Sequence, residues 1–303
     1  MKTAVAVKKV NKSYGEIIAN NKVSLEASSE EIFGLIGPDG AGKTTLIRSI
    51  CTLLVPDSGE ITVLGHNTKS DILEIRKKIG YMPQKFSLYQ DLSVEQNLNF
   101  FADLFKVPPK ERKQKVNELY EFSKLGQFKD RLAGALSGGM KQKLALSCNL
   151  VHTPEILILD EPTFGVDPVS RLDFWNMLKE IKRDGIPIFV STAYMDEAEQ
   201  CDRIALIHKG DIIAIDTPAK IVDNFGYHLF EITGSLREIS SYFQNLPDTH
   251  SIQLFGQTLH VSFLKRPLKE EINNWYEKLG DKLKNVKEIK PGVEDIFLDK
   301  MSE

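Results

Sequence analysis

Residues 37–45, GPDGAGKTT, combine three glycines with a lysine and two threonines at the spacing G-x-x-x-x-G-K-[ST]. The glycines let the backbone curl, so that its N–H groups can point at phosphate oxygens. Lys43 supplies a cation for β- and γ-phosphates, and the hydroxyl of Thr44 is a ligand for Mg²⁺. We predict a phosphate-binding loop here, with an accidental glycine-rich turn as the alternative. Asp39 repels phosphate, so we expect its side chain to point outward.

A second stretch, LSGGMKQKLAL at residues 136–146, also has the features of an anion site. Ser137 is suited to cap a helix, and Gly138 and Gly139 leave backbone N–H groups accessible at its beginning. The helix dipole adds partial positive charge at the same end. The chain therefore contains two predicted phosphate sites.

The acidic residues of ILILDEP, residues 156–162, form a third chemical motif. Asp160 ends a continuous aliphatic run and is predicted to hold Mg²⁺ beside Thr44. Glu161 follows it and is predicted to be the general base for an attacking water. An acidic cap at the end of a strand is the alternative, and the upstream phosphate loop favours the catalytic interpretation.

The elements that carry these motifs alternate between strand and helix patterns. Short aliphatic runs at residues 31–37, 155–160 and 186–192 are typical of strands that are buried on both faces. KTTLIRSICTLL, directly after the phosphate loop, repeats apolar residues at helical spacing. This alternation predicts an α/β domain with a parallel sheet, spanning residues 1–222.

Residues 85 to about 135 lack such aliphatic runs and predict a helical insertion. Ser93 and Gln96 form a capping-box pattern at the beginning of a helix. One apolar stripe follows it, made of Val94, Leu98, Phe101 and Phe105.

Two prolines, Pro108 and Pro109, are expected to end this helix, and a second helix is expected to run to about Leu125–Gly126. With the helix that begins near Ser137, the predicted helical subdomain covers about residues 85–144.

After Pro218 the pattern changes to that of a small α+β domain, predicted at residues 223–303. Gly256-Gln257 is a predicted hairpin turn. The predicted elements are strands at 228–234, 251–255, 258–263 and 285–290, and helices at 236–246, 269–279 and 293–301. The order βαββαβ, followed by a last short helix, predicts a ferredoxin-like arrangement.

Composition limits the possible partners and setting. The 303 residues exceed one ordinary core, and 42% hydrophobic with 27% charged residues is typical of a soluble globular protein. A formal net charge of −3 argues against a nucleic-acid partner. No apolar run approaches the roughly 18 residues that span a bilayer. Cys51, Cys148 and Cys201 are widely spaced and predict core residues in a reducing compartment.

Over roughly residues 1–222 the motifs resemble those of the nucleotide-binding subunits of ATP-binding cassette (ABC) transporters. The matching segments are GPDGAGKTT, YMPQ, the signature LSGGM, ILILDEP and GVDP. The resemblance implies a P-loop NTPase fold with ATP and Mg²⁺ as cofactors. In this family the signature of one subunit closes over ATP held by the phosphate loop of another. The two phosphate sites thus imply a second nucleotide-binding subunit, identical or different.

The resemblance also assigns roles to individual residues. Catalytic roles are expected for Glu161, Lys43 and Gln84, and metal contacts for Thr44, Gln84 and Asp160. Nucleotide contacts are expected for Tyr14, Gly37, Pro38, Asp39, Gly40, Ala41, Gly42, Lys43, Thr44, Thr45, Ser137, Gly138, Gly139 and Asp167.

Three of these roles concern the adenine, the membrane partner and the dimer. Tyr14 matches the aromatic residue that stacks on adenine, and a half-buried strand residue is the alternative. Gln84 matches the residue that touches Mg²⁺ and water and reports ATP occupancy to the membrane subunit. Asp167 matches an aspartate that crosses the dimer interface.

The implied function is ATP hydrolysis that powers export through separate transmembrane permease subunits, from the cytoplasmic face of the cell membrane. The ending GVEDIFLDKM resembles the tails of ABC-2 type and drug-resistance exporter ATPases. An importer ATPase and a soluble ABC-type mechanoenzyme are the alternatives.

The chain departs from the family pattern at Asp39, Met140 and Ala193. The first two replace commoner asparagine and glutamine without removing a backbone donor. Ala193, in STAY, occupies the place of the switch histidine that contacts the γ-phosphate. Because alanine has no side-chain donor, the resemblance predicts slow hydrolysis with ATP binding retained. The alternative is that Tyr194 or a water fills the gap and that the histidine is dispensable here.

Overall fold

The computed structural model describes residues 2–85 and 88–302, and the chain divides into two compact units. The first is Met1–Thr217 and the second is Pro218–Glu303. The sequence predicts a boundary after residue 222, whereas the second unit begins at Pro218. The short helix Pro218–Asp223 therefore belongs to the second unit. Residues 1, 86, 87 and 303, which fall within the predicted domains and helical subdomain, lie outside the described residues.

The first unit contains both strands and helices. Its strands are β1 (Thr3–Tyr14), β2 (Ile17–Ser28), β3 (Ile32–Ile36), β4 (Ser58–Val63), β5 (His66–Asn67), β6 (Ile79–Met82), β7 (Ile156–Asp160), β8 (Ile188–Thr192), β9 (Arg203–His208) and β10 (Asp211–Asp216). Its α-helices are α1 (Lys43–Ile50), α2 (Ile72–Lys78), α3 (Val94–Leu104), α4 (Pro109–Ser123), α5 (Gly138–Leu150) and α6 (Pro168–Arg183).

The central sheet has the order β10-β9-β3-β8-β7-β6 among the described residues. Its neighbours pair in parallel from β9 to β6, and only the edge pair β10–β9 is antiparallel. The three aliphatic runs form β3, β7 and β8, and every residue of these strands is buried. The predicted parallel core is confirmed, because strands covered on both faces need apolar residues at successive positions.

A second, antiparallel sheet with the order β2-β1-β4-β5 was not predicted from the sequence. Its first two strands occupy most of residues 3–28, and their buried side chains share one core with those of α1 and β3. Register shifts interrupt the pairing of β1 with β2, for example between Val7 and Val10. Such irregularities break the two-residue alternation by which a half-buried strand is recognised in a sequence.

Helices α3, α4 and α5 pack against one another, and α5 ends at Leu150, beyond the predicted limit of the helical subdomain near residue 144. The capping box is present: Ser93 Oγ accepts from the Gln96 N–H, and the Gln96 side chain accepts from the Ser93 N–H. Helix α3 ends at Leu104, before the two prolines. Pro109 is the first residue of α4, a position where its missing N–H costs nothing.

The second unit has the predicted βαββαβ order, preceded by one helix and followed by another. Its elements are α7 (Pro218–Asp223), β11 (His228–Gly234), α8 (Leu236–Gln244), β12 (Thr249–Phe255), β13 (Thr258–Phe263), α9 (Lys269–Leu279), β14 (Leu283–Ile289) and α10 (Val293–Ser302). The sheet order β12-β13-β11-β14, with all pairs antiparallel, is ferredoxin-like. Phe243 of α8 and Trp275 of α9 pack over its core. Gly256, in the predicted hairpin turn, has a φ of +57°.

Candidate functional site

The phosphate loop and the acidic motif lie at one edge of the central sheet, beyond the carboxyl ends of its strands. Ile36 at the end of β3 pairs with Thr192 at the end of β8. Asp160 at the end of β7 pairs with Ser191, which also lies on β8. Ligands of open α/β sheets bind outside the carboxyl ends of the strands, so this edge is the candidate site.

Residues 37–42 form the tight loop between β3 and α1. Gly40 and Gly42 have φ values of +78° and +104°, which glycine adopts without strain. A Cβ atom on Gly42 would also overlap the carbonyl oxygen of Ala19, so this position requires glycine. Helix α1 begins directly after the loop, at Lys43, which places the positive end of its dipole at the loop.

The remaining loop residues contribute backbone groups and packing. Gly37 is buried, and the Pro38 carbonyl accepts a hydrogen bond of 3.2 Å from the Ala41 N–H. Asp39 is exposed, in the outward position expected of it. Thr45 is partly exposed in the first turn of α1.

Lys43 is 3% exposed, and its ammonium group lies among oxygen atoms. Its Nζ donates to the carbonyls of Gly37 and Pro38 at 2.7 and 2.9 Å. It also forms an ion pair of 2.9 Å with Oε1 of Glu161. Phosphate oxygens entering the loop would compete with these partners for the same cation.

Asp160 is buried and meets the hydroxyl of Thr44, as the motif predicted. Thr44 Oγ1 donates to Asp160 Oδ1 at 3.2 Å, and the hydroxyl of Ser191 donates to the same oxygen at 2.7 Å. Oδ2 is buried without a hydrogen-bond partner among the described residues. Burial raises the pKa of Asp160, and the two hydroxyl hydrogen bonds partly oppose that increase.

Glu161 has a φ of +48°, a conformation that non-glycine residues rarely adopt. Its backbone N–H donates to the hydroxyl and the carbonyl of Ser191, each at 3.1 Å. Its Oε2 accepts a hydrogen bond of 2.8 Å from Nε2 of Gln84, which follows β6. The structure thus brings Lys43, Gln84 and Glu161 together around one carboxylate.

The signature serine is the N-cap of α5, as predicted. Ser137 Oγ accepts from the N–H of Met140 at 3.3 Å, and Ser137 and Gly138 are exposed. Gly139 is buried, because Ser170 of α6 packs so closely on it that a Cβ atom would have no space.

Asp167 is the N-cap of α6, and it lies near the signature because its hydrogen-bond partner Ser170 packs on Gly139. The Ser170 N–H donates to Asp167 Oδ1 at 3.0 Å, and this hydrogen bond holds the pKa of Asp167 below its ordinary value. Asp167 is exposed, and no described hydrogen bond joins it or Ser137 to Lys43 or Glu161.

Tyr14 lies at the end of β1 with 49% of its surface exposed. The Nζ atom of Lys12 is 5.7 Å from the centroid of its ring. The structure therefore presents an accessible aromatic ring, as an adenine contact requires. Its role in binding stays a prediction.

Ala193 follows the last residue of β8 and is partly buried. The neighbouring Tyr194 ring lies 4.4 Å from the guanidinium carbon of Arg171. This arrangement gives the aromatic ring a cationic partner, and position 193 itself contributes only a methyl group.

Sequence reasoning missed two sets of residues at this site. Ser191 bonds both acidic residues of the motif, and only its place two residues before the predicted switch position could have indicated it. Glu197 is 3% exposed and bonds Thr163 and Thr192. In the sequence it is one of several acids in MDEAEQ, a pattern that gives no signal for burial.

Within residues 2–85 and 88–302, none of the helices has the length and apolar character needed to cross a bilayer.

Comparisons with known proteins agree on one family. A model of the family described as "ABC transporter" matches residues 20–164. The chain is 41% identical to the probable multidrug ABC transporter ATP-binding protein YbhF of Escherichia coli K12, over 88% of this chain but only 46% of YbhF. It is 35% identical to the Nod factor export ATP-binding protein I of Rhizobium sp. strain N33, over 98% of this chain and 96% of that protein.

Solved structures point the same way. An ATP-binding subunit of an ABC transporter is 29% identical, with a TM-score of 0.67, over 74% of this chain and 94% of that one. The dimeric ATP-binding cassette MJ0796, bound to ADP and Pi, is 28% identical with a TM-score of 0.63, over 70% of this chain and 98% of that one. By its loops, by the geometry of its acidic edge and by these likenesses, this chain belongs to the ABC transporter family.

Proposed function

We propose that this chain binds and hydrolyses Mg-ATP as one of two cassettes in a dimer, and that hydrolysis powers export through separate membrane subunits. The observation that carries the proposal is the carboxylate of Glu161, which contacts Lys43 at 2.9 Å and Gln84 at 2.8 Å. A base, a phosphate-binding cation and an amide that can orient water fit the hydrolysis of a phosphoanhydride.

ATP binding exchanges the partners of Lys43. In the described contacts, the ammonium is shared between Glu161 and the carbonyls of Gly37 and Pro38. Phosphate oxygens offer it a doubly charged partner at the beginning of α1, where N–H groups add further donors. Lys43 then turns to the phosphates, and the Glu161 carboxylate is released to accept a proton from water.

The residues present fit a magnesium ion. Asp160 and Thr44 supply the oxygen ligands that Mg²⁺ prefers, and Oδ2 of Asp160 is a buried acceptor with no described partner. No group of three or more His, Cys, Asp or Glu side chains in the described part of the chain forms a complete metal cage. That agrees with Mg²⁺, which takes most of its ligands from water and phosphate. When bound, it neutralises charge that develops on the phosphate oxygens.

Gln84 orients the attacking water and links the base to the helical insertion. Its hydrogen bond to Glu161 comes from the loop after β6, which leads to α3. We propose that this loop reports nucleotide occupancy to the membrane subunit. The metal contact expected of Gln84 belongs to the same proposal.

The signature completes the site of a partner chain. Ser137 and Gly138 are exposed at the positive end of α5, so they are free to meet the γ-phosphate of an ATP held by another phosphate loop. The dimeric structure of MJ0796 supports a two-subunit arrangement for cassettes similar to this one. Asp167, exposed next to the signature, is proposed to face the dimer interface, and Tyr14 to stack on adenine.

Export is supported by the names of the relatives, a probable multidrug transporter protein and a Nod factor export protein. The partners proposed are a transmembrane permease and a second cassette, identical or different. The chain would then work at the cytoplasmic face of the cell membrane, attached through the permease.

The test is phosphate release by the purified chain with Mg-ATP, together with a search for its partner. Wild-type protein should release phosphate and Glu161→Gln should not, while both bind ATP. A multispanning membrane protein should coelute with the tagged chain in mild detergent. Equal phosphate release by both forms would contradict the proposed base, and coelution with soluble proteins alone would contradict transport.

A further inference from the structure

A buried carboxylate that the proposed mechanism does not use lies beside the site. Glu197 is 3% exposed, in the 3₁₀ turn Met195–Gln200 that follows β8. Its Oε1 and Oε2 accept the hydroxyl of Thr163 at 2.8 and 3.0 Å, and Oε2 also accepts the hydroxyl of Thr192 at 2.6 Å. We call Thr163, Thr192 and Glu197 the Glu197 cluster. Burial of a carboxylate is costly without such donors, so the cluster is a specific arrangement.

One side of the Glu197 cluster holds the loop of the proposed base. Thr163 is 1% exposed and lies two residues after Glu161. The turn that contains both is closed by hydrogen bonds from the Phe164 N–H to the Glu161 carbonyl and from the Val166 N–H to the Thr163 carbonyl, each 3.1 Å. A residue at positive φ such as Glu161 persists only where surrounding contacts hold it. The hydroxyl of Thr163 supplies one of those contacts.

The other side of the cluster holds the backbone around the switch position. Thr192 Oγ1 accepts the N–H of Tyr194 at 3.0 Å. The Tyr194 N–H can only donate, so Thr192 Oγ1 accepts that hydrogen bond. The single hydrogen of the Thr192 hydroxyl is then donated to the Glu197 carboxylate. Ala193 therefore lies between Thr192, which bonds the Glu197 carboxylate directly, and Tyr194, which bonds the hydroxyl of Thr192.

Arg171 of α6 adds a positive charge to the same arrangement. Its Nη1 lies 3.8 Å from Oε1 of Glu197, and its Nη2 lies 3.3 Å from Oδ2 of Asp196. Its guanidinium carbon also lies over the Tyr194 ring, 4.4 Å from the centroid. Since Asp167 is the N-cap of α6, the helix that carries the proposed interface residue is tied to the cluster as well.

From these contacts we infer that Glu197 is a positioning residue for ATP hydrolysis. It acts through Thr163 and Thr192, which fix the loop of Glu161 and the backbone at position 193 relative to each other. The inference rests on the proposed ATPase function. Loss of either hydroxyl should lower the turnover number and leave ATP affinity unchanged, because the phosphate loop bonds only the backbone carbonyl of Thr192, through the Gly37 N–H, and this bond remains when the hydroxyl is lost.

The first test replaces each hydroxyl with a methyl group of similar volume. Thr163→Val and Thr192→Val should each lower the turnover number roughly 10- to 100-fold, which is the cost of a small misplacement of a reacting group. ATP affinity, measured by calorimetry, should match that of the wild type. Thr163→Ser and Thr192→Ser keep the donor and should retain most of the turnover.

The matched control is Thr249→Val in the second unit, where the lost hydroxyl donates to the carbonyl of Phe243 at 2.7 Å. It should leave the turnover number as in the wild type. An equal loss of turnover in this control would overturn the inference, because the effect would then be general.

The second test needs no hydrolysis. Amide hydrogen exchange of the segment with Tyr194 should be faster in Thr192→Val than in the wild type and unchanged in Thr249→Val. If the wild type is active and Thr163→Val and Thr192→Val both hydrolyse ATP as fast as it does, the inference is wrong but the proposed function stands. If the folded wild type binds ATP and does not hydrolyse it, the proposed function is wrong.

Discussion

Gln84 and Glu161 are 77 positions apart in the chain, yet Nε2 of Gln84 donates a 2.8 Å hydrogen bond to Oε2 of Glu161. They meet because β6 and β7 are parallel neighbours, with Met82 opposite Leu159. The other carboxylate oxygen contacts Lys43. The proposed base is therefore held jointly by the phosphate loop and by the loop that leads to the helical insertion.

Replacement of the base should trap the ATP-bound dimer. Glu161→Gln keeps the size of the side chain but removes the carboxylate that we propose accepts a proton from water. We expect ATP, and not ADP, to produce a stable dimer of this variant, since the proposed contact with the partner's signature is made by the γ-phosphate alone. Light scattering measures the mass, and a monomer at saturating Mg-ATP would show that the site is not shared.

Removal of the loop cation should abolish nucleotide binding. Lys43→Met keeps most of the volume but leaves the buried Glu161 carboxylate without its ion-pair partner, a loss of roughly 3–5 kcal/mol in stability. The double variant Lys43→Met/Glu161→Gln should recover the stability without recovering ATP binding. Urea unfolding and calorimetry measure the two properties separately. Restored binding in the double variant would mean that Lys43 is not a phosphate ligand.

Truncation should separate the two units. Residues of the proposed nucleotide site all lie before Thr217, where the first unit ends. A chain cut after Thr217 should keep the ATP affinity of the full chain within a few-fold. Circular dichroism checks that it folds, and a folded truncation that failed to bind ATP would assign part of the site to the second unit.

Introduction of a switch histidine should raise turnover. One preorganised donor to a developing oxyanion typically changes the rate by roughly 10²–10³-fold. Ala193→His should therefore hydrolyse ATP faster at unchanged affinity, and Ala193→Phe, which adds a ring without a donor, is the control. Steady-state phosphate release gives the comparison. An unchanged rate would mean that Glu161 is sufficient or that another donor fills this role.

Acid should destabilise the first unit through His152. Its ring stacks on Phe105, with centroids 3.7 Å apart, and its Nε2–H donates to the Ile79 carbonyl at 3.1 Å. Nδ1 is buried with no hydrogen-bond partner in the described ranges. Burial lowers the pKa of His152 below 6.5, so the unfolded chain binds the proton more readily than the folded one. The contribution of neutral His152 to the free energy of unfolding is thus fully present above pH 6.5, and it is lost as the pH falls towards the folded-state pKa.

His152→Gln tests this expectation because glutamine does not titrate. The wild type should lose more free energy of unfolding than the variant between about pH 7.5 and about pH 5.5, as urea unfolding measures. Equal losses in the two proteins would exclude His152 as the cause.

The sequence by itself determined the chemical parts of this protein and most of its local elements. GPDGAGKTT, the capped signature helix and ILILDEP were recognisable because phosphate loops, helix caps and buried strands depend on residues that are neighbours in the chain. The same reason explains why the strands and helices of the second unit could be predicted in order. The strands in residues 3–28 were missed. Register shifts removed the alternation in β1, whereas Val23, Leu25 and Ala27 of β2 alternate in burial and could have indicated a strand.

Only the tertiary structure decided which parts meet. The contact of Gln84 with Glu161 depends on the parallel pairing of β6 with β7, and Ser191 reaches both acids because β8 lies next to β7. The burial of Glu197 against Thr163 and Thr192 depends on how a turn after β8 packs on a loop after β7. In the first unit these contacts depend on packing between segments that are distant in the chain, and the patterns of residue types within each segment did not predict them.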